Sequence, residues 1–239
     1  MTEPLFRENA YQRDAGATVT AHTQEGGIVL DRSVFYPSGG GQPGDSGAIE
    51  WDAGAMRIAT SIKGNGDSVV LIPSEPRVLP PVGIQVMQHV DWERRYSHMR
   101  VHTALHLLSV VLPFGVTGGS ISAGRGRLDF DMADAPDDRE AIEAALNDHV
   151  TADLSVGAEW ITEAELDANL DMVKTLSVRP PRGAQHIRLI RIGEGEATVD
   201  LQPCGGTHVA RTGEIGTLRL GKIEKKGRMN RRVYLHLDG

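Results

Sequence analysis

The sequence predicts an α+β fold in which a small antiparallel β-barrel is followed by a second α+β domain. Short strand-like segments, with no helical period between them, fill the chain up to Trp92. Helical spacing of apolar residues begins after Trp92, and strand-like segments return from Ile187 onward. We therefore predict a barrel domain over residues 1–92 and an α+β domain over residues 93–239.

Six short segments predict the strands of the barrel. Gly26 and Gly27 separate the first two segments and are typical of a hairpin turn. Four prolines between Pro73 and Pro81 predict a stiff connection before the last strand. The predicted strands are Val19–His22, Ile28–Phe35, Ala48–Trp51, Met56–Ile62, Val69–Ile72 and Gly83–Trp92.

The second domain is predicted to contain three helices and four strands. The first helix covers Tyr96–Leu112 and is ended by Pro113. Capping-box patterns at Asp137 and Thr162 predict the starts of the other two. Their apolar stripes are Ile142, Leu146, Val150 and Leu154, and then Leu166, Leu170, Val173 and Leu176. The predicted strands are Ile187–Ile192, Ala197–Leu201, Gly216–Glu224 and Arg232–Leu237.

Composition narrows the class of protein. A single cysteine among 239 residues excludes an internal disulfide, and the polar N-terminus resembles no signal peptide, so we expect a cytoplasmic protein. The longest mostly apolar run, Leu105–Phe114, is too short to cross a bilayer, so no membrane partner is expected. The oligomeric state cannot be derived from the sequence.

Charge is unevenly distributed along the chain. The formal net charge of −7 argues against a protein that coats nucleic acid non-specifically. Between Arg219 and Arg232, however, seven basic residues and one acid give a local charge of +6. This segment predicts a phosphate-binding surface, and the alternative is a solvated basic strand. Its basic residues are Arg219, Lys222, Lys225, Lys226, Arg228, Arg231 and Arg232.

Two pairs of residues predict one zinc site per chain. His102 and His106 are four residues apart in the first predicted helix, so their rings lie on one face. Cys204 and His208 are also four apart, around two glycines that permit a tight turn. Thiolate and imidazole are the ligands that zinc prefers.

The spacing of these residues excludes two classes of zinc protein. His106 and Cys204 are 98 positions apart, which no zinc finger matches. A zinc peptidase of the His-Glu-x-x-His type needs a glutamate where this chain has Thr103. Whether three or four side chains bind the ion stays open; if the site opens for water, His208 is the ligand we expect to leave. The general base is unassigned.

A glycine-rich segment lies within the predicted barrel. Residues 39–47 contain five glycines in nine positions, and the first ones match a dinucleotide-binding pattern. Pro43, which has no N–H, and the strand-like sequence that follows argue against that function. Two interpretations remain: a tight barrel loop, or a flexible flap that contacts a ligand through Gly39, Gly40, Gly41, Gln42 and Gly44.

Five motifs together resemble the editing domain of alanyl-tRNA synthetase, over nearly the whole chain. Because no aminoacylation domain accompanies them, the sequence looks like the free-standing AlaX family of editing proteins, in its medium-length subgroup. Threonyl-tRNA synthetase editing domains are similar chiefly in the zinc motif. The motifs are Tyr-Pro-Ser-Gly-Gly-Gly-Gln-Pro-Gly-Asp at 36–45, Arg-Arg-Tyr-Ser-His-Met-Arg-Val-His-Thr-Ala-Leu-His at 94–106, Gly-Arg-Leu-Asp-Phe-Asp at 126–131, Gln-Pro-Cys-Gly-Gly-Thr-His at 202–208 and Lys-Ile-Glu-Lys-Lys-Gly-Arg-Met-Asn-Arg-Arg at 222–232.

The resemblance implies hydrolysis of tRNA(Ala) mischarged with serine, and in longer forms with glycine. It implies zinc binding by His102, His106, Cys204 and His208, and it places Thr103 in the amino-acid pocket. One departure affects the expected amino-acid preference: many synthetase editing domains carry a glutamine where this chain has Val-Thr-Gly-Gly-Ser at 116–120.

We accordingly assign Thr103 and His208 to catalysis. A Thr103 hydroxyl that binds serine would be left unpaired by alanine, so the correct product would be spared; the alternative is a helix threonine bonded to its own backbone. Two other functions stay open, a non-catalytic zinc-stabilised tRNA-binding module and a deacylase of Ser-tRNA(Thr). The predicted substrate-binding residues are Gly39, Gly40, Gly41, Gln42, Gly44, Thr103, Lys225, Lys226, Arg231 and Arg232.

Overall fold

The computed structural model describes residues 1–169, 173–175 and 186–238. The chain divides into two compact units, Met1–Ser97 and His98–Gly239. The division falls inside a helix that begins at Trp92, next to the predicted boundary between residues 92 and 93. Within the described residues, no helix is long and apolar enough to cross a membrane.

The first unit contains a closed six-stranded barrel. Its strands are β2 (Asp14–His22), β3 (Ile28–Leu30), β5 (Gly47–Trp51), β6 (Gly54–Lys63), β7 (Val69–Pro73) and β8 (Gln85–Val90). They pair in the order β2-β3-β7-β6-β5-β8, and every pairing is antiparallel. Before and beside the barrel lie β1 (Glu3–Pro4), α1 (Leu5–Glu8) and β4 (Arg32–Ser33).

The barrel core follows from the period of two along each strand. Alternate residues such as Ile28 and Leu30, or Met56 and Ile58, point inward and are at most 2% exposed. This confirms the antiparallel barrel that the short, closely spaced strand-like segments predict. The α+β fold class is confirmed with it.

Two barrel boundaries were predicted wrongly. The predicted strand Ile28–Phe35 is broken at Asp31, because that carboxylate accepts hydrogen bonds from the N–H groups of Thr18 and Arg32 and turns the chain. The predicted last strand ends at Val90 rather than Trp92. Asp91 accepts the first helical hydrogen bond through its carbonyl, from Arg95, so Trp92 belongs to the helix.

The second unit combines two antiparallel sheets with helices. One sheet has the order β14-β15-β10-β9 and the other the order β11-β12-β13. The helices are α2 (Trp92–Val111, which begins in the first unit), α3 (Arg139–Thr151) and α4 (Glu163–Asp167). The strands are β9 (Val116–Ser122), β10 (Arg125–Asp131), β11 (Val156–Ile161), β12 (Ile187–Ile192), β13 (Asp200–Pro203), β14 (Leu218–Gly227) and β15 (Asn230–Leu237).

Helix α2 packs closely across the four-stranded sheet. A Cβ atom added to Gly126 on β10 would lie 2.7 Å from a methyl group of Val101 and 3.0 Å from one of Leu105. Glycine is therefore the residue that lets the helix approach this strand. Because α2 covers one face of the sheet, its other face is the one that carries polar residues.

Several predictions for the second unit were wrong in detail. Strands β9, β10 and β11 were not predicted, because their glycines and charges hide the alternating pattern. Asp138, not Asp137, caps α3 by accepting from the N–H of Ala141. The Thr162 capping box is confirmed, but α4 ends at Asp167, and the predicted stripe residues Leu170 and Leu176 lie outside the described residues.

Candidate metal centre

Four side chains from two elements of the second unit converge on one point. His102 and His106 lie on successive turns of α2, and Cys204 and His208 lie on the loop after β13. One nitrogen or sulfur atom from each lies within 4.8 Å of the others, so the group could hold a metal ion. The structure thus brings together the four residues that the sequence predicts as ligands.

The two distances from the Cys204 sulfur agree with a tetrahedral ion bound by nitrogen and sulfur. Cys204 Sγ lies 3.5 Å from His102 Nε2 and 3.3 Å from His208 Nε2. Zinc–nitrogen and zinc–sulfur bonds of ordinary length at a tetrahedral angle put the two ligand atoms about 3.5 Å apart. The donor set and its spacing therefore both suit zinc.

A buried carboxylate supports one of the histidines from behind. Asp200 Oδ2 lies 2.8 Å from His106 Nδ1, which leaves Nε2 of that ring for a metal. The same oxygen accepts from Gln202 Nε2 at 2.8 Å, and Asp200 Oδ1 pairs with Lys174 Nζ at 2.6 Å. Gln202 also donates to Ser109 Oγ on α2. Asp200 is thus held by three partners in the orientation that His106 requires.

The position of these supports follows from strand geometry. Asp200 and Gln202 are alternate residues of β13, and Cys204 is the next alternate position, so the three side chains lie on one face. Neither Asp200 nor Lys174 was predicted from the sequence. The period of two that ends at Cys204 was the signal that could have revealed Asp200.

Thr103 supports a second histidine. Its hydroxyl donates to the carbonyl of Met99 at 3.0 Å, accepts from the N–H of Val209, and lies 3.2 Å from His208 Nδ1. If His208 Nε2 faces the metal, Nδ1 carries the proton and donates to this hydroxyl. One donor and two lone pairs are then all in use, and Thr103 is 0% exposed.

Electrostatics inside the cluster favour the thiolate. Burial alone raises the pKa of Cys204, but the charges of His102 and His208 outweigh it and hold the pKa well below its usual value. Burial and the charge of His102 lower the pKa of His208 to about 3. Burial also opposes the charged form of His106, yet the bonds to Asp200 and Cys204 raise its pKa to about 9. The thiolate is the form of Cys204 that binds metal, whereas a metal bound by His106 would have to displace the proton that its raised pKa favours.

The cluster is accessible from one side. His102, His106 and His208 are at most 8% exposed, whereas Cys204 is only partly buried and Gly205 is exposed. Arg188 on β12 holds this loop by donating from one nitrogen to the carbonyls of Cys204 and Gly206, each at 2.9 Å. A ligand would therefore approach the metal position from the Cys204 side.

The glycine-rich segment belongs to the first unit, and the residues on either side of its tip are held in place by close contacts. Asp45 and Ser61 hold Tyr36 through hydrogen bonds, and a Cβ atom on Gly44 would lie 1.9 Å from the Ser61 carbonyl. These contacts agree with the tight-loop interpretation. Gly40 and Gly41 form the exposed tip, with φ angles of +57° and +83°.

The remaining residues of this segment frame the tip. Gly39 and Gln42 exchange two backbone hydrogen bonds, at 3.0 and 3.1 Å, on either side of it. Gln42 itself is 2% exposed. A ligand that contacts this segment would therefore meet the backbone of the tip first.

The basic segment Arg219–Arg232 is divided between two faces of the four-stranded sheet. Arg231 is buried and donates to the carbonyls of Gly227, Asn230 and Ala133. Lys225 lies opposite Arg231, whereas Arg232 lies opposite Glu224 on the other face. Lys226 pairs with Glu224 at 2.8 Å. Of the four predicted RNA-binding residues, Lys226 and Arg232 share a face.

The sequence is similar to two protein families of tRNA synthetases and to proteins that edit alanyl-tRNA. Residues 187–234 match the family described as the second additional domain of threonyl and alanyl tRNA synthetases, and residues 9–94 match class II (A) tRNA synthetases. The chain is 34% identical to the alanyl-tRNA editing protein AlaX-M of Methanosarcina mazei, over 99% of this chain and 97% of that protein. The chain belongs to the AlaX family.

Other relatives of this AlaX chain include both free-standing and fused proteins. The AlaX-M protein of Methanosarcina barkeri is 34% identical over 99% of each chain. The alanine–tRNA ligase of Pyrobaculum neutrophilum is 35% identical over 94% of this chain but only 25% of the ligase. The resemblance to AlaX that the five sequence motifs indicate is therefore confirmed.

Proposed function

We propose that the chain hydrolyses the aminoacyl ester of tRNA(Ala) mischarged with serine, and with glycine as a second substrate. The observation that carries the proposal is the convergence of His102, His106, Cys204 and His208 in a member of the AlaX family. The proposal assigns one zinc ion to these four side chains. When bound, zinc would polarise the ester carbonyl or lower the pKa of an attacking water.

The protein's own residues would orient and protect the reacting ester. The three histidines of the cluster are buried, whereas Cys204 is partly buried and Gly205 beside it is exposed, so we propose that the ester enters beside these two residues. Asp200 and Thr103 fix the rings of His106 and His208, so the ligand nitrogens keep their directions when a substrate arrives. His208, whose second nitrogen is held by a neutral hydroxyl rather than by a carboxylate, is the ligand we propose for exchange during catalysis.

The proposed selectivity for serine follows from how tRNA(Ala) comes to be charged with the wrong amino acid. A pocket for alanine rejects serine only modestly, and it cannot exclude the smaller glycine by size. A second pocket that hydrogen-bonds the serine hydroxyl leaves a polar group unpaired with alanine and so spares the correct product. The Thr103 hydroxyl already uses its donor and both lone pairs, so we propose that Thr103 acts by orienting His208 and leave the group that binds the serine hydroxyl unassigned.

We propose that the RNA contacts the face of the four-stranded sheet opposite α2, which we call the outer face. Its charged residues are Arg125, Arg127, Asp129, Asp131, Arg219, Lys222, Glu224, Lys226 and Arg232. Six cations and three acids give it a formal charge of +3, on a chain whose net charge is −7. Such a local excess is what attracts a phosphate backbone.

The contacts on the outer face support a phosphate site. Asp129 is shared between Arg127 and Arg232, at 2.7 and 2.8 Å, so one positive charge remains there. Arg125 and Arg219 both lie opposite His236 on β15. Partial burial and these two arginines lower the pKa of His236, a sign of positive potential at that end. Asp238, 4.0 Å from Arg219, offsets part of that charge.

A panel of charged tRNAs tests the function. Zinc-loaded protein should release serine from Ser-tRNA(Ala), release glycine more slowly from Gly-tRNA(Ala), and leave Ala-tRNA(Ala) intact. Cys204→Ala should lose most bound zinc and most hydrolysis, while His22→Ala, an exposed histidine of the barrel, should keep both. Tight binding of Ser-tRNA(Ala) without any serine release would instead support a non-catalytic tRNA-binding module.

The same panel tests a second candidate substrate. The matched domain family includes threonyl synthetases, which favours Ser-tRNA(Thr) as the alternative. We expect faster hydrolysis of Ser-tRNA(Ala), and faster hydrolysis of Ser-tRNA(Thr) would reverse the assignment.

Charge reversal on either side of the sheet tests the RNA surface. Lys222→Glu and Lys225→Glu change the net charge equally, but Lys222 pairs with Glu224 on the outer face and Lys225 lies opposite the buried Arg231. Lys222→Glu should weaken tRNA binding more and lower the slope of log affinity against log salt by about one or more. Equal losses from both variants would contradict a face-specific contact.

A further inference from the structure

The edge of the three-stranded sheet carries an exposed tryptophan. Trp160 lies on β11, and 50% of it is exposed. Ala158, two residues earlier on the same face, is small and also exposed. The indole therefore has a small, exposed neighbour on its own face of the strand. An exposed ring of this size is a feature of binding sites for planar ligands.

The strand register places this tryptophan in line with the metal centre. Trp160 lies opposite Arg188 on β12. Arg188 in turn lies beside Cys204, whose N–H donates to its carbonyl at 3.1 Å. Residues opposite each other in an antiparallel sheet share a face, so Trp160, Arg188 and Cys204 form one cross-strand row. Two strand spacings put the backbones of Trp160 and Cys204 about 10 Å apart.

The row ends on the accessible side of the cluster. Cys204 is its least buried ligand. Arg188 fixes the relation between the strand and the loop through its two bonds to the carbonyls of Cys204 and Gly206. A substrate that reaches the metal position from this side would extend over Arg188 toward Trp160.

The 3′ end of a charged tRNA has dimensions that suit the separation between Trp160 and Cys204. The amino acid is esterified to the ribose of the terminal adenosine, so one sugar separates the reacting carbonyl from an adenine ring. That adenine belongs to a single-stranded end, and proteins bind such bases by stacking them on aromatic side chains. The phosphate on its 5′ side would lie near a cation, a role that the guanidinium of Arg188 suits.

We propose that Trp160 is a binding residue that stacks on the terminal adenine of the charged tRNA and so positions the ester at the metal centre. The proposal rests on the proposed function. It adds a recognition element for the nucleotide, separate from the metal ligands and from the outer face. It also predicts that the free amino acid binds weakly, because the charged tRNA is held mainly through its terminal nucleotide.

A binding experiment tests the stacking without any catalysis. The probes are a 5′-labelled RNA tetranucleotide, ACCA, and the same molecule with an abasic last residue, and binding is followed by fluorescence anisotropy. Wild-type protein should bind ACCA about fivefold to a hundredfold more tightly than the abasic probe. Trp160→Ala should remove that difference, Trp160→Phe should keep most of it, and Phe114→Ala, which removes an aromatic ring that is 43% exposed, should keep all of it.

Hydrolysis of Ser-tRNA(Ala) supplies the second readout. Trp160→Ala should raise KM by a similar factor and change kcat less, with zinc content and circular dichroism unchanged. If wild-type protein binds both probes equally, the stacking proposal is overturned even when hydrolysis is normal. If the probes differ as expected but no serine is released, the proposed function fails and the adenine site stands. Association of the protein with itself that Trp160→Ala abolishes, with equal probe binding, would assign the ring to a dimer interface.

Discussion

Two buried aspartates, one in each unit, both lie beside basic partners but have different tasks. Asp45 in the barrel unit is 1% exposed and accepts from Arg95 Nε at 2.8 Å and from the N–H of Tyr36 at 2.6 Å. Asp200 in the second unit is 3% exposed and accepts from His106, Lys174 and Gln202. Each carboxylate is therefore buried beside a basic partner, but both oxygens of Asp200 accept hydrogen bonds, whereas Asp45 Oδ1 accepts none within the described residues.

The partners determine what each aspartate does. Arg95 is 0% exposed, and its other nitrogens donate to the carbonyls of Ala10 and Val34, so the pair with Asp45 joins backbone segments. His106 instead directs its other ring nitrogen to the cluster formed with His102, Cys204 and His208. A buried carboxylate beside a permanent cation thus stabilises the fold, whereas the same group beside an imidazole prepares a ligand. The comparison predicts that loss of each aspartate is detected by a different measurement.

The largest effect is expected from Asp45→Ala. Its loss leaves the Arg95 guanidinium buried without a counter-charge, which costs about 3–5 kcal/mol of unfolding free energy. Urea denaturation of the zinc-free protein measures this cost. Asp14→Ala, which breaks an exposed pair with His89, should cost less than about 1 kcal/mol.

A double variant separates charge from packing at this site. Asp45→Ala combined with Arg95→Met removes both charges and should recover part of the lost stability. A loss in Asp45→Ala no larger than that of Asp14→Ala would show that the pair is not a structural link.

An intermediate effect is expected from Asp200→Asn, and on metal affinity rather than on folding. The variant keeps the size of the side chain but weakens the orientation of His106, so zinc affinity should fall about tenfold to a hundredfold. Competition with a chelator measures it. Glu159→Gln, on the opposite face of the same sheet, is the matched control and should leave zinc affinity unchanged. Unaltered affinity in Asp200→Asn would remove the distinction between the two aspartates.

The smallest effect is expected from Thr103→Val. Thr103 supports His208 through a neutral hydroxyl, whereas Asp200 supports His106 through a carboxylate. If Thr103 orients His208, zinc affinity should fall about tenfold or less, and the ratio of kcat/KM for Ser- and Ala-tRNA(Ala) should stay within about twofold. Its three existing contacts favour this outcome. A changed ratio with unchanged zinc affinity would support the role that the sequence predicts, recognition of serine.

The sequence predicted best where one residue pattern has one structural meaning. Short strand-like segments with no helical period between them predicted a small antiparallel barrel. His102, His106, Cys204 and His208 predicted a metal cluster, because few other functions use those residues at that spacing. The sequence predicted least well the residues whose type is typical of one structure but which here belong to another. Gly118 and Gly119 in β9 and Gly126 in β10 look like loop residues, yet Gly126 is a strand residue that lets α2 approach the sheet.

The charge pattern of the sequence did not show which basic residues share a surface. The basic segment predicted one surface, but adjacent strand residues point to opposite faces, so Arg231 is buried while Arg232 faces Asp129. Arg125 and Arg127 join the same face from a strand a hundred residues earlier, which only the sheet register shows. The support of His106 by Asp200 also depends on tertiary structure, since many buried aspartates follow the same local pattern.

The alternate arrangement of Asp200, Gln202 and Cys204 has a consequence for insertions and deletions in this segment. One residue inserted between Gln202 and Cys204 would turn the cysteine to the far side of the strand and disconnect it from the histidines, although no ligand is replaced. Two inserted residues would restore the direction but displace the thiol by about 7 Å. Related proteins can therefore exchange Leu201 or Pro203 more readily than they can change the length of this stretch. An alignment of the family should show substitutions here and no gaps.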